Sequence, residues 1–171
     1  MSTNTVQVRL PGTPAELVAR MGTPQVAQAR IDADPLLSTA LTTLDPLDDA
    51  TGRMAYATVS QIPSGWLPGP VARAASVLPS VHRAERWQLL PEGSAEAEVE
   101  LEIHGVPADA RGHVTLAPVE SGEGPACELT YTVELAVHIP IVGGLVESVV
   151  LHRIADTIRA EAQVLATDGS R

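Results

Sequence analysis

The stretch CELTYTVELAVHI at residues 127–139, followed at once by PIVGGLVE at 140–147, decides how this chain folds. Cys127, Leu129, Tyr131, Val133, Leu135, Val137 and Ile139 share one parity, while Glu128, Thr130, Thr132, Glu134 and His138 take the other. Side chains alternate across a strand, so the segment predicts a long strand with one buried and one wet face, as in an antiparallel sheet. After Pro140 the period changes. Over residues 141–166 Val146, Val150, Leu151, Ile154, Ile158, Ala162 and Leu165 form one stripe at helical spacing, and Ser148, His152, Asp156, Arg159 and Gln163 fall opposite. The spacing predicts a long amphipathic helix. A strand of that length would span about 40 Å if straight, so it is expected to curl, and a curled sheet must cover its concave face. Only the final helix carries an apolar stripe long enough to do so.

Upstream, residues 94–103 repeat the alternation, with Ala95, Ala97, Val99, Leu101 and Ile103 on one face and Glu96, Glu98, Glu100 and Glu102 on the other. Residues 81–90, centred on Trp87, and 112–119, with Val114 and Leu116, read as further strands. Residues 37–44 and 54–62 read as a hairpin around an Asp-rich turn, and 5–10 as a first strand. Thr13-Pro14 and Thr23-Pro24 each give an N-cap followed by proline at the first helical position, which predicts two short helices in tandem, to about Met21 and Ala33. Residues 63–79, with four prolines, read as an irregular excursion around a short Ala-rich piece at 71–77, and long loops of this kind often form the rim of a site. The expected organisation is one α+β domain over residues 1–167, with seven strands in the order β-α-α-β6-α and a disordered tail at 168–171.

Bulk properties act by exclusion. At 171 residues a single domain buries about 70% of its unfolded surface, enough for a core without disulfides. The 11 basic residues, all Arg, face 21 acidic ones, and a net charge of −10 disfavours nucleic acid and anionic lipid surfaces. Cys127 is the one cysteine, so no internal disulfide or cysteine zinc cluster forms. No secretory leader and no membrane-spanning stretch is read, and a cytoplasmic location is expected.

The order and lengths of the elements, with residues 85–87 and 140–147, resemble the START-like (SRPBCC, helix-grip, polyketide-cyclase and birch-pollen-allergen-like) superfamily, and within it a bacterial family of unknown function. The resemblance implies a cavity between sheet and terminal helix that holds lipids, polyketides or other apolar small molecules. Fold alone licenses no reaction. The expected lining is Trp87, Leu101, Ile103, Val114, Leu116, Tyr131, Val133, Leu135, Val150, Ile154 and Ile158, with Glu147 at the cavity mouth. Glu147 lies in the apolar stripe, where it either meets a ligand or is a first-turn acid held by the helix N-terminus, and the second reading is preferred. Glu161 shares the stripe near the chain end, where solvent is expected to be close.

Other candidates for chemistry read blandly. His104 and His138 share the parity of the glutamates, His113 is out of phase with Val114 and Leu116, and His152 lies on the polar side of the helix; His82 is ambiguous. No zinc motif, nucleophile elbow or phosphate loop occurs, so no catalytic residue, metal or cofactor is assigned. Gly143-Gly144 reads as a join that lets the helix pack closely on the sheet. If Trp87 points inward, Arg83 and Glu85 share its parity and need each other or a ligand as partners; if it packs on 66–70, both are surface residues. Three functions stand: a non-catalytic carrier of an apolar molecule, a cavity enzyme (cyclase, dehydratase or hydrolase) using Glu147 or Arg83 and Glu85, and an interaction module, monomeric or homodimeric, docking through residues 63–79. The first is preferred.

Overall fold

A computed structural model describes residues 1–34, 37–74 and 78–168. The elements are β1 (Ser2–Pro11), α1 (Pro14–Met21), α2 (Pro24–Asp32), β2 (Ser38–Asp48), β3 (Arg53–Gln61), a 3-10 turn (Ser64–Trp66), α3 (Gly69–Ala74), β4 (Ser80–Leu89), β5 (Ala95–His104), β6 (Ala108–Val119), β7 (Ala126–Val137) and α4 (Gly143–Asp168). Seven strands form one sheet in the order β1-β7-β6-β5-β4-β3-β2, and each neighbouring pair is antiparallel. The expected α+β architecture, a sheet gripping one long C-terminal helix, is what the chain adopts.

Local chemistry sets the elements. Thr13 caps α1 in a reciprocal box: the Glu16 amide donates to Thr13 Oγ1 at 3.2 Å and the Thr13 amide donates to Glu16 Oε2 at 3.0 Å. Thr23 accepts from the Val26 amide to start α2. Along β7 the parity read from the sequence is the parity of burial, residue by residue from Cys127 to Val137. β6 carries Gly112 opposite Val133, and a Cβ there would stand 3.1 Å from the Val99 Cβ, so a side chain at this point would crowd β5.

Between β7 and α4 the chain turns hard. β7 ends at Val137, two residues before the end of the alternation, and the His138 amide donates instead to the Pro107 carbonyl at 2.8 Å. Ile141 takes φ 72°, the left-handed region that a β-branched residue rarely adopts, and its side chain is fully exposed. For that reason α4 begins at Gly143 and not at 141. A Cβ on Gly143 would lie 2.5 Å from the Val137 carbonyl oxygen, so the helix starts pressed against the strand it leaves. α4 then lays Val146, Val150, Leu151, Ala155, Ile158, Ala162 and Leu165 into the core, while the five residues assigned to its wet side are exposed.

Further boundaries differ from expectation, among them β1, which starts at Ser2 and not at residue 5. β6 starts at Ala108, four residues early, because Ala108 and Ala110 are too weakly apolar to mark the alternation, although Ala108 pairs with Val137. β2 runs on through Pro46 to Asp48. α4 outlasts the expected 166: Thr167 is helical and donates from Oγ1 to the Gln163 carbonyl, and Asp168, expected in the disordered tail, closes the helix; the rest of that tail, 169–171, lies outside the described residues. So does 75–77 of the Ala-rich piece.

Candidate functional site

A cavity of about 90 Å³ lies between the middle of α4 and the concave face of the sheet. α4 contributes Val150, Ile154 and Ile158, and the sheet contributes Val81, Leu101, Ile103, Tyr131 and Val133. Leu37, Ile62 and Trp66 line it from the segments that flank β2 and β3. The Arg153 guanidinium sits 5.7 Å from the Trp66 ring and ties this rim to α4. Residues 63–79 thus supply part of the cavity wall through Trp66.

One wall of the cavity is ionic, formed by Arg30 of α2, Arg83 of β4 and Glu161 of α4. Glu85 of β4 joins the group behind that wall, beside a smaller void. Arg83 grips Glu161 with a two-pronged contact, Nη1 to Oε1 at 3.0 Å and Nη2 to Oε2 at 2.9 Å, and also donates to Glu85. Arg30 Nη2 donates to both oxygens of Glu85, at 3.2 and 3.3 Å, and to Glu161 Oε2 at 3.3 Å. Trp87 Nε1 donates to Glu85 Oε2 at 3.0 Å. The Arg30 guanidinium lies 4.2 Å over the Tyr56 ring, and Arg83 5.5 Å from the Tyr131 ring. Burial opposes charge on Glu85, but Arg83, Arg30 and the donated hydrogen bonds outweigh it and pull the carboxyl down to about 2. Burial likewise opposes charge on both arginines, and the two carboxylates outweigh it and hold their pKa values above the ordinary arginine range. Burial raises the Tyr131 phenol. Among the described residues Arg30 Nε and Nη1 are buried without a hydrogen-bond partner.

The expected lining divides by position along the strands. Leu101, Ile103, Tyr131, Val133, Val150, Ile154 and Ile158 face the cavity. Trp87 and Val114 border a second, smaller void of about 20 Å³ beside the ionic group, shared with Arg30, Tyr131 and Ile158. Leu116 and Leu135 are buried on the same sheet face but do not reach the cavity. Nor does Glu147. Its Oε1 accepts from the Val137 amide at 2.9 Å and its Oε2 from the Ser2 hydroxyl at 2.5 Å, contacts that lower its pKa, so it fastens the base of α4 to β7 and β1. Parity tells which face a side chain takes; it does not tell where along the face the helix stands off from the sheet.

Of the two readings of Trp87, the inward one is realised, and Arg83 and Glu85 are partners as that reading requires. Glu161, expected near solvent, is buried because Arg83 and Arg30 hold it. Arg30 has no mark in the sequence: one arginine on a short helix carries no signal, and its role emerges only when α2 docks beside α4. His82, His104, His138 and His152 are exposed and His113 is half-exposed, and four of the five face carboxylates, as in His138 to Asp109 at 2.7 Å. Cys127 is fully buried, and burial pushes its thiol up to about 11. Among the described residues no three His, Cys, Asp or Glu are grouped to hold a metal, and no helix is long and apolar enough to cross a membrane.

Comparison with known proteins agrees with the architecture. The fold is similar to a conserved protein from Geobacillus kaustophilus (TM-score 0.55, 15% identity, 97% of this chain and 96% of the other). It is also similar to TTHA0849 from Thermus thermophilus (0.54, 15%, 99% and 100%) and to truncated norcoclaurine synthase from Thalictrum flavum (0.54, 11%, 95% and 92%). At these identities the likeness establishes the helix-grip fold and nothing further. In sequence the chain is 29% identical over 117 residues to the uncharacterized protein Rv0481c of Mycobacterium tuberculosis strain H37Rv and, with the same figures, to Mb0491c of Mycobacterium bovis. The match takes in 68% of this chain and spans 65% of the length of those curated relatives. A family profile, "protein of unknown function (DUF2505)", matches residues 5–167, and the chain therefore belongs to the DUF2505 family.

Proposed function

We propose that the protein binds or carries an apolar small molecule, lipid-like or polyketide-like, in the cavity between sheet and α4. The observation that carries this reading is the apolar wall of Val150, Ile154 and Ile158 facing Leu101, Ile103 and Val133 across open space, in a chain with few aromatic rings to fill it. Carriage is favoured over catalysis because the carboxylates considered for acid–base chemistry are clamped or lie elsewhere. Glu85, held at about 2, has no proton to give near neutral pH, and Glu147 is committed to Val137 and Ser2 away from the cavity. The net charge of −10 supports a protein that acts on neither nucleic acid nor membrane, and the single cysteine suits the cytoplasm. We take residues 1–167 as one domain that works as a monomer or homodimer.

Native mass spectrometry of protein purified from its own host tests the proposal. A retained non-protein mass is expected. Ile154→Trp, which fills the cavity from α4, should lose that mass while keeping the far-ultraviolet circular dichroism of the parent. Parent protein that is empty, and that takes up no neutral apolar dye, would sink the reading.

A further inference from the structure

We infer that the molecule held in this cavity carries a neutral acceptor oxygen, a ketone, ester or lactone carbonyl, that accepts a hydrogen bond from Arg30. This deepens the proposed function and rests on it. Two independent features lead there. The first is unmet donation: Arg30 is 4% exposed, lines both the main cavity and the smaller void beside it, and has Nε and Nη1 without partners among the described residues. Leaving buried donors unpaired is costly, whereas an acceptor arriving with a ligand satisfies them at the moment of binding.

The second feature is charge balance. Arg30 and Arg83 are already matched by Glu85 and Glu161, two cations against two carboxylates. A ligand carboxylate would be a third anion against two cations, desolvated among like charges. Unmet donors ask for an oxygen; the charge count refuses an anion. A carbonyl meets both conditions, with the hydrocarbon beside it placed against Ile154, Ile158 and Val133.

Cyclopentanone, cyclopentanecarboxylate and cyclopentane are compact probes of this choice, titrated at neutral pH into full-length protein labelled with ¹⁵N. Affinity is read from ligand-observed NMR and contact from the Arg30 Nε–H resonance. Cyclopentanone is expected to bind about tenfold more tightly than either of the others, the factor one net hydrogen bond supplies, and to move the Arg30 resonance. Arg30→Lys keeps the charge, loses the guanidinium fork, and should erase the preference for the ketone over cyclopentane. The parent's arginine resonance gives the answer even where that variant does not fold. Equal binding of ketone and hydrocarbon with a stationary Arg30 signal overturns the inference and leaves the apolar cavity standing. Tightest binding by the carboxylate overturns it too. No binding by any of the three removes the cavity reading along with it.

Discussion

Glu85 sits at the centre of the ionic group, accepting from Arg83, Arg30 and Trp87 with its side chain wholly buried. Removing one charge from such a group strands the others, so Glu85→Gln should lower stability at neutral pH by about 3–5 kcal/mol in a chemical denaturation series. The deficit should shrink with acid. The carboxyl lies at about 2 in the folded chain against an ordinary 4.5, so its contribution is present above pH 4.5 and is lost as pH falls toward 2. A deficit that stays constant from pH 7 to pH 2.5 would contradict this assignment. Part of this chemistry was legible in the sequence, because Arg83, Glu85 and Trp87 share a parity on one strand. Arg30 and Glu161 were not, because what links them to β4 is contact between elements separated by 55 and 76 residues of chain (Arg30 to Glu85, Glu85 to Glu161).

At the scale of elements, the join between β7 and α4 determines how tightly the helix lies on the sheet. Two adjacent glycines there answer to different constraints. A methyl on Gly143 would collide with the Val137 backbone oxygen at 2.5 Å, which neither a rotamer change nor a neighbouring side chain can relieve. Gly143→Ala is therefore expected to destabilise by about 1–3 kcal/mol as the helix start is displaced. Gly144 has open space where its Cβ would be, and in the first turn of a helix alanine is the better residue. Gly144→Ala should be neutral or stabilise by up to about 1 kcal/mol. Thermal unfolding of the two variants side by side checks the contrast, and equal effects would show that α4 does not rest on Val137 as described. The sequence marked the pair as a close join but could not say which glycine was indispensable, since that depends on which one faces the strand end.

Across the whole molecule stability is unevenly spread. β7 is buried at every second position and paired on both sides, whereas β2 is an edge strand, exposed along most of its length, with register shifts after Leu41 and Asp45. Backbone amides of β2 should exchange with solvent well before those of β6 and β7. Thr39 of β2 and Thr58 and Ser60 of β3 line the cavity, so a bound ligand should slow exchange in residues 38–48 more than in β6 and β7, whose paired amides already exchange slowly; hydrogen-exchange mass spectrometry with and without cyclopentanone reads this directly. Uniform protection, or none, would place the ligand elsewhere. By itself the sequence determined the strands, the long helix and the face each residue takes, because alternation and helical spacing are local properties that survive without knowledge of neighbours. Only the tertiary structure decided which inward residues border open space and which meet the helix directly, and it alone brought Arg30 and Glu161 to Glu85. Those outcomes depend on where α2 and α4 cross the curved sheet, a distance set by all the packed side chains together and written in no single segment.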